Sequence, residues 1–101
     1  MKPKGRPKKV RLIEKIPKIS QFSPRGKPGR PDEIELAIDQ FESIRLVDNL
    51  GLKQAQAAAK MGLSRQTLGR ILKLARRRIS DALINGKIIR IQGGAIKLRD
   101  V

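Results

Sequence analysis

The sequence predicts a mainly α domain, with three helices, a small β element and a basic N-terminal arm. Three observations carry this. Apolar residues recur at steps of three and four over residues 41–50 and again over 68–83. Glycines stand where the helical patterns stop, at Gly51, Gly62 and Gly86. Residues 1–31 are rich in Pro, Gly, Lys and Arg and show no helical period.

The elements follow in chain order. Residues 1–11, MKPKGRPKKVR, read as a flexible arm. Leu12–Ile19 favours a short extended piece that Pro17 interrupts, and SPRGKPGRP (23–31) is a loop by composition. The arm and loop therefore end at residue 31, and the domain spans 32–101. Ile34, Leu36 and Ile38 alternate with Glu33, Glu35 and Ala37, the period of a half-buried strand. Asp39 stands three residues before Glu42 and resembles a capping box, so the first helix is expected to start there and to run to about Leu50. Phe41, Ile44, Leu46, Val47 and Leu50 form its apolar face, and Glu42, Arg45 and Asn49 its polar one. The second helix spans Gln54–Met61. The third is capped by Ser64 and runs to about Asn85, roughly 30 Å at 1.5 Å per residue. Its core stripe is Leu68, Ile71, Leu72, Ala75, Ile79, Ala82 and Leu83. In the tail, Ile89 and Ile91 precede Gly93-Gly94, and Ile96 and Leu98 follow. This predicts a C-terminal β-hairpin, with the Ile34–Ile38 segment a candidate third strand.

Composition narrows the function. The chain has 101 residues, a formal net charge of +15, no Cys, no His, no Trp and no Tyr. The commonest general base, the thiolate metal ligands and most base-stacking platforms are therefore absent. Charge is segregated. Residues 1–30 carry eleven Lys/Arg and one acid, residues 31–51 one Arg and six acids, and residues 52–101 twelve Lys/Arg and two acids. Two basic blocks around an acidic one suit a polyanion touched from two places. No apolar run approaches the ~18 residues of a membrane span. The expectation is a cytoplasmic, nucleoid-associated protein without membrane contact. Glu33, Glu35, Asp39 and Glu42 read as a strand face and a cap, not as catalytic or metal-binding carboxylates, and no enzyme activity, cofactor or metal is expected.

Segment QAQAAAKMGLSRQTLGRILK (54–73) fits a helix-turn-helix. Ala58 suits the close approach of two helices, and Gly62 suits a left-handed turn residue. Met61, Leu63, Leu68 and Ile71 supply shared core, and Ser64 caps the second motif helix. Gln66, Arg70, Lys73 and Arg77 form one stripe opposite the apolar one, with Arg65 and Thr67 flanking its first turn. Such a helix presents its N-terminal residues to base edges in the major groove. Arg suits guanine and Gln suits adenine. Gln66 and Arg70, with Arg65 a third candidate, are expected to read bases, and Ser64, Thr67, Lys73 and Arg77 to meet phosphate. Gly69 is expected to leave room for the duplex. Of Arg76-Arg77-Arg78, one is expected at phosphate and another at an acid such as Asp48 or Asp81. Pro3-Lys4-Gly5-Arg6-Pro7 resembles an AT-hook core, which points Lys4 and Arg6 at a minor groove. Pro24-Arg25-Gly26-Lys27-Pro28 is a looser match.

Beyond these motifs, FSPRGKP (22–28), ELAIDQFESIRLVDNLGL (35–52), AAAKMGLSRQTLGRIL (57–72), ARRRISDALINGKIIRIQGG (75–94) and the trailing AIKL occur in fixed order and spacing. In these blocks the chain resembles a family of small bacterial and archaeal proteins, domain of unknown function one hundred and thirty-four. The resemblance implies DNA binding through a helix-turn-helix similar to region four of bacterial sigma factors. This chain departs from the family pattern at Lys53, where relatives often carry Ser or a similar cap, and at Ile96, where an aromatic often precedes the last apolar residue of the tail. It also lacks the cysteines many relatives show.

The reading is sequence-specific binding of double-stranded DNA in transcriptional regulation. A homodimer is expected because one short helix reads few bases, with the second half of the third helix or the hairpin as interface. Alternatives are a non-specific architectural DNA-binding protein, an RNA-binding module, and an adaptor docking on RNA polymerase.

Overall fold

The computed structural model describes residues 9–26 and 29–99. In order, the elements are β1 (Arg11–Ile13), β2 (Gln21–Phe22), β3 (Glu33–Leu36), α1 (Ile38–Ile44), α2 (Gln54–Met61), α3 (Arg65–Asn85), β4 (Ile88–Ile91) and β5 (Ile96–Leu98). A π-helical turn, Arg45–Asn49, prolongs α1. The described residues thus form three helices with two small sheets, a mixed α/β domain and not the mainly α one that the helical periods suggested.

α2 and α3 occupy the expected spans, because strong local signals bound them. Gly62, φ 67°, ends α2 in a left-handed turn. There the Leu63 N–H donates to the Ala58 carbonyl at 2.9 Å and the Gly62 N–H to that of Ala59 at 3.2 Å. Both bonds satisfy carbonyls that the helix end would otherwise orphan. Gly86, φ 64°, repeats the device for α3, with the Lys87 N–H on Ala82. Despite Lys53, α2 still begins at Gln54, because the Gln56 side chain accepts the Lys53 N–H at 3.0 Å.

α1 starts earlier than the Asp39 cap implied. Ala37 is the N-cap, and Gln40 Oε1 accepts its N–H at 2.9 Å. Strand β3 stops at Leu36, so Ile38 enters the core from the helix. Asp39 is buried in the first turn, its Oδ2 3.6 Å from Arg11 Nε. Glu42, assigned to a polar face, is fully buried.

Two segments depart further. The predicted hairpin does not form. β4 is the centre of a three-stranded sheet, antiparallel to β2 and parallel to β3, whereas β5 pairs in parallel with β1. Gly93 and Gly94, φ 82° and 102°, divert the chain between sheets. A Cβ on Gly94 would lie 2.9 Å from Asp39 Oδ1, so only glycine fits this crossing. The stretch assigned to arm and loop contributes β1 and β2. Its apolar Ile13 is fully buried, and pairing with the C-terminal strands is what buries it. Residues 1–8, with the Lys4 and Arg6 candidates, and Lys27-Pro28 lie outside the described residues.

The core has two centres. Leu46, Ala57, Ala58, Met61 and Leu68 join the end of α1 to the α2–α3 angle. Leu36, Ala75 and Ile91 join α3 to the three-stranded sheet, flanked by Ile34, Phe41, Ile44 and Ile79. Of the predicted α3 stripe, Leu83 fails: it is 73% exposed and Ile84 81%, while Ala82 is covered. The last turn of α3 meets the sheet on the Ala82 side alone.

Candidate nucleic-acid interface

The packing of α3 leaves one long face open. Its apolar side is committed to α2 at Leu68 and to the sheet at Ala75. Residues 66, 70, 73 and 77 lie opposite, within a narrow arc set by 3.6 residues per turn. Gln66, Arg70, Lys73 and Arg77 are all exposed, as is Arg65. The stripe runs about 16 Å along the axis at 1.5 Å per residue. Among the described residues, none of its cations makes an ion pair.

Neighbouring arginines contrast with this. Arg76 binds Asp48 through two hydrogen bonds, 2.7 and 3.1 Å, and holds the Asp48 carboxyl below its usual range. Arg78 Nη1 donates to the Glu35 carbonyl of β3 at 3.0 Å. Of the Arg76–Arg78 triplet, Arg77 alone makes no ion pair or side-chain hydrogen bond among the described residues, and the expected pairing with an acid is met at Asp48. Asp81 is held instead by Lys87 at 2.9 Å.

The first turn of α3 is set by its cap. Ser64 Oγ accepts the Thr67 N–H at 3.1 Å and donates to Thr67 Oγ1 at 2.9 Å. Gly69 lies in the next turn of the helix, on the side that neighbours α2. It is half-buried, and a Cβ there would meet Gln54 Oε1 of α2 at 3.6 Å.

Sequence reading missed a charge network centred on the buried Glu42. Glu42 Oε1 accepts from Arg45 Nε at 2.7 Å, and Oε2 from Arg45 Nη2 and the Glu14 backbone N–H, both at 2.9 Å. Glu14 bonds Arg45 at 2.7 Å and Lys60 at 3.2 Å. Hydrogen bonding to Glu42, then to Glu14, raises the Arg45 pKa above its ordinary value despite desolvation. Arg45 and, secondarily, Lys60 hold the Glu14 carboxyl below its usual range. The network ties the N-terminal segment to α1 and α2. A Glu-Arg pair three apart was visible in the sequence, but its burial depends on β1 covering it.

Among the described residues no group of three or more His, Cys, Asp or Glu could hold a metal ion, and no described helix is long and apolar enough to cross a membrane.

Comparison with known proteins places the chain. The family described as "Protein of unknown function DUF134" matches residues 1–99. A UPF0251 protein of Prosthecochloris aestuarii is 46% identical over 97 residues, covering 95% of this chain and 63% of that protein. A UPF0251 protein of Methanococcus maripaludis (strain C7) is 49% identical over 98 residues, covering 96% and 75%. One of Dehalococcoides mccartyi is 46% identical over 94 residues, covering 92% and 80%. This chain thus spans under two thirds of the Prosthecochloris relative's length. No solved structure matches. The matched span and these identities put the chain in the DUF134 family, shared by bacteria and archaea.

Proposed function

We propose that this protein binds double-stranded DNA through a helix-turn-helix made of α2, the Gly62–Ser64 turn and α3, and that it regulates transcription. One observation carries the reading. The outward stripe of α3 holds Gln66, Arg70, Lys73 and Arg77 exposed and, among the described residues, without acidic partners, while Arg76 and Arg78 beside it are occupied. Cations left unpaired on one helix face suit phosphate, and Gln66 and Arg70 near the helix start suit base edges. Arg65 is the third base-reading candidate, and Ser64 and Thr67 complete the phosphate set. Two copies would read half-sites about 34 Å apart, meeting at the apolar Leu83 and Ile84. A monomer at micromolar concentration with and without DNA would remove the dimer from this reading.

The test is fluorescence anisotropy against labelled duplexes at physiological salt. Low salt is avoided because a chain of net charge +15 binds any polyanion there. Binding by the native chain and altered sequence preference in Arg70→Ala are expected. Uniformly weaker binding with unchanged preference would place Arg70 at phosphate. Equal binding of duplex RNA would turn the reading toward an RNA module, since an A-form major groove does not admit this helix.

A further inference from the structure

The two-stranded sheet lies against the α2–α3 turn, and its outer strand is cationic. Leu12 of β1 covers the turn: a Cβ on Gly62 would lie 3.5 Å from Leu12 Cδ1. Lys97 of β5 is in register with Leu12. Partners in register leave a sheet on the same face, so Lys97 issues from the sheet face that Leu12 turns toward Gly62. Arg99, two residues on, follows the same face, and its N–H donates to the Ile13 carbonyl at 2.7 Å. Adjacent strands lie about 4.8 Å apart, so β5 is one strand further out than Leu12.

Charge on this ribbon is one-sided. Glu14, which strand alternation places on that face, gives its oxygens to Arg45 and Lys60. Asp39, on the other side, faces Arg11. Lys97 and Arg99 are exposed and make no ion pair among the described residues. Lys9 is exposed at the ribbon's start, its carbonyl held by Arg11 Nη1 at 2.7 Å. Five of the first nine residues of the chain are Lys or Arg. A cationic edge beside the turn of a DNA-reading motif suits the phosphates that border the groove such a motif enters.

We propose that the β1–β5 ribbon is a second DNA-contacting element, with Lys97 and Arg99 on backbone phosphates flanking those that α3 meets. This rests on the DNA-binding reading above and extends its footprint to one side.

The test compares the salt dependence of duplex binding for the full chain, for K97Q/R99Q, and for K15Q/K18Q, which loses the same charge at the apolar groove beside Phe22 and Phe41. Each lost phosphate contact lowers the slope of log K against log salt by about 0.9. The ribbon variant is expected to lose about two units of slope and the control less than half of that. The chain has no cysteine, so Lys97→Cys offers a unique anchor for a DNA-cleaving iron chelate, expected to cut the backbone at one flank of the site. Equal slopes for the two double variants, or cleavage no stronger than free chelate gives, would overturn the ribbon while leaving α3 in place. If the native chain binds no duplex, the DNA-binding reading fails and takes the ribbon with it. Unfolding of K97Q/R99Q, seen by circular dichroism, would shift the slope comparison to the single variants, each expected to lose about 0.9.

Discussion

Glu42→Gln is the sharpest probe of how the N-terminal segment is built into the domain. The carboxylate is fully buried and accepts three hydrogen bonds of 2.7–2.9 Å, two from Arg45 and one from the Glu14 backbone. An amide has one acceptor oxygen, so its NH2 must face a guanidinium N–H in either orientation, and in one of them the Glu14 backbone N–H as well. Removing one partner of a buried ion pair costs about 3–5 kcal/mol. Arg45 retains Glu14 and its side chain keeps 17% exposure, so the lower end, about 3 kcal/mol, applies. For a domain of this size that is a fall in Tm of roughly 12–24 °C, a large part of the 5–15 kcal/mol typical of folded proteins. The double variant Glu42→Leu/Arg45→Met removes both charges and fills the space with apolar groups. It is expected to recover part of the loss, because such pairs contribute little beyond their apolar replacements, while the Glu14 N–H is left without its acceptor. Urea unfolding followed by far-ultraviolet circular dichroism measures both. A loss under about 1 kcal/mol in Glu42→Gln, the scale of an exposed pair, would refute the buried network.

Other expectations follow from single residues. Ser64→Ala removes the α3 cap and should cost about 1 kcal/mol in stability while weakening DNA binding, read by the same unfolding curves and by anisotropy. Gly94→Ala meets Asp39 Oδ1 at 2.9 Å with φ 102°, so it should cost more than the roughly 1–3 kcal/mol of backbone strain alone; a cost below that would mean the crossing is not tight. Arg76→Ala breaks an exposed pair with Asp48 and should cost under about 1 kcal/mol without altering sequence preference in anisotropy. For pH, the folded Glu14 carboxyl lies below its ordinary 4.5. The stabilisation is complete above that value and is lost as pH falls through the folded pKa. Glu14→Gln should therefore flatten the acid limb of a stability–pH profile below about 4.5, and an unchanged limb would count against the pair with Arg45.

The helices and strands were unequally legible in the sequence. Gly62, Ser64 and Gly86 act within a turn of themselves, so α2 and α3 could be bounded residue by residue. The exposed stripe from Gln66 to Arg77 followed from helical period alone. Strands β1 and β2 are three and two residues long, too short to show a period. Ile96 and Leu98 alternated like a strand, but alternation does not name a partner, and theirs lies at the far end of the chain in β1. Glu42 looked like a surface residue because nothing local reveals that β1 covers it. Lys97 and Arg99 drew no role from the sequence, because the partner of their strand lies at the far end of the chain.

Selection from a random duplex library at physiological salt tests the central claim most directly. The account predicts an enriched motif, palindromic if two copies bind, and a changed motif when the selection is repeated with Arg70→Ala. Recovery of no motif while binding persists would contradict sequence-specific reading and leave a protein that coats DNA without preference.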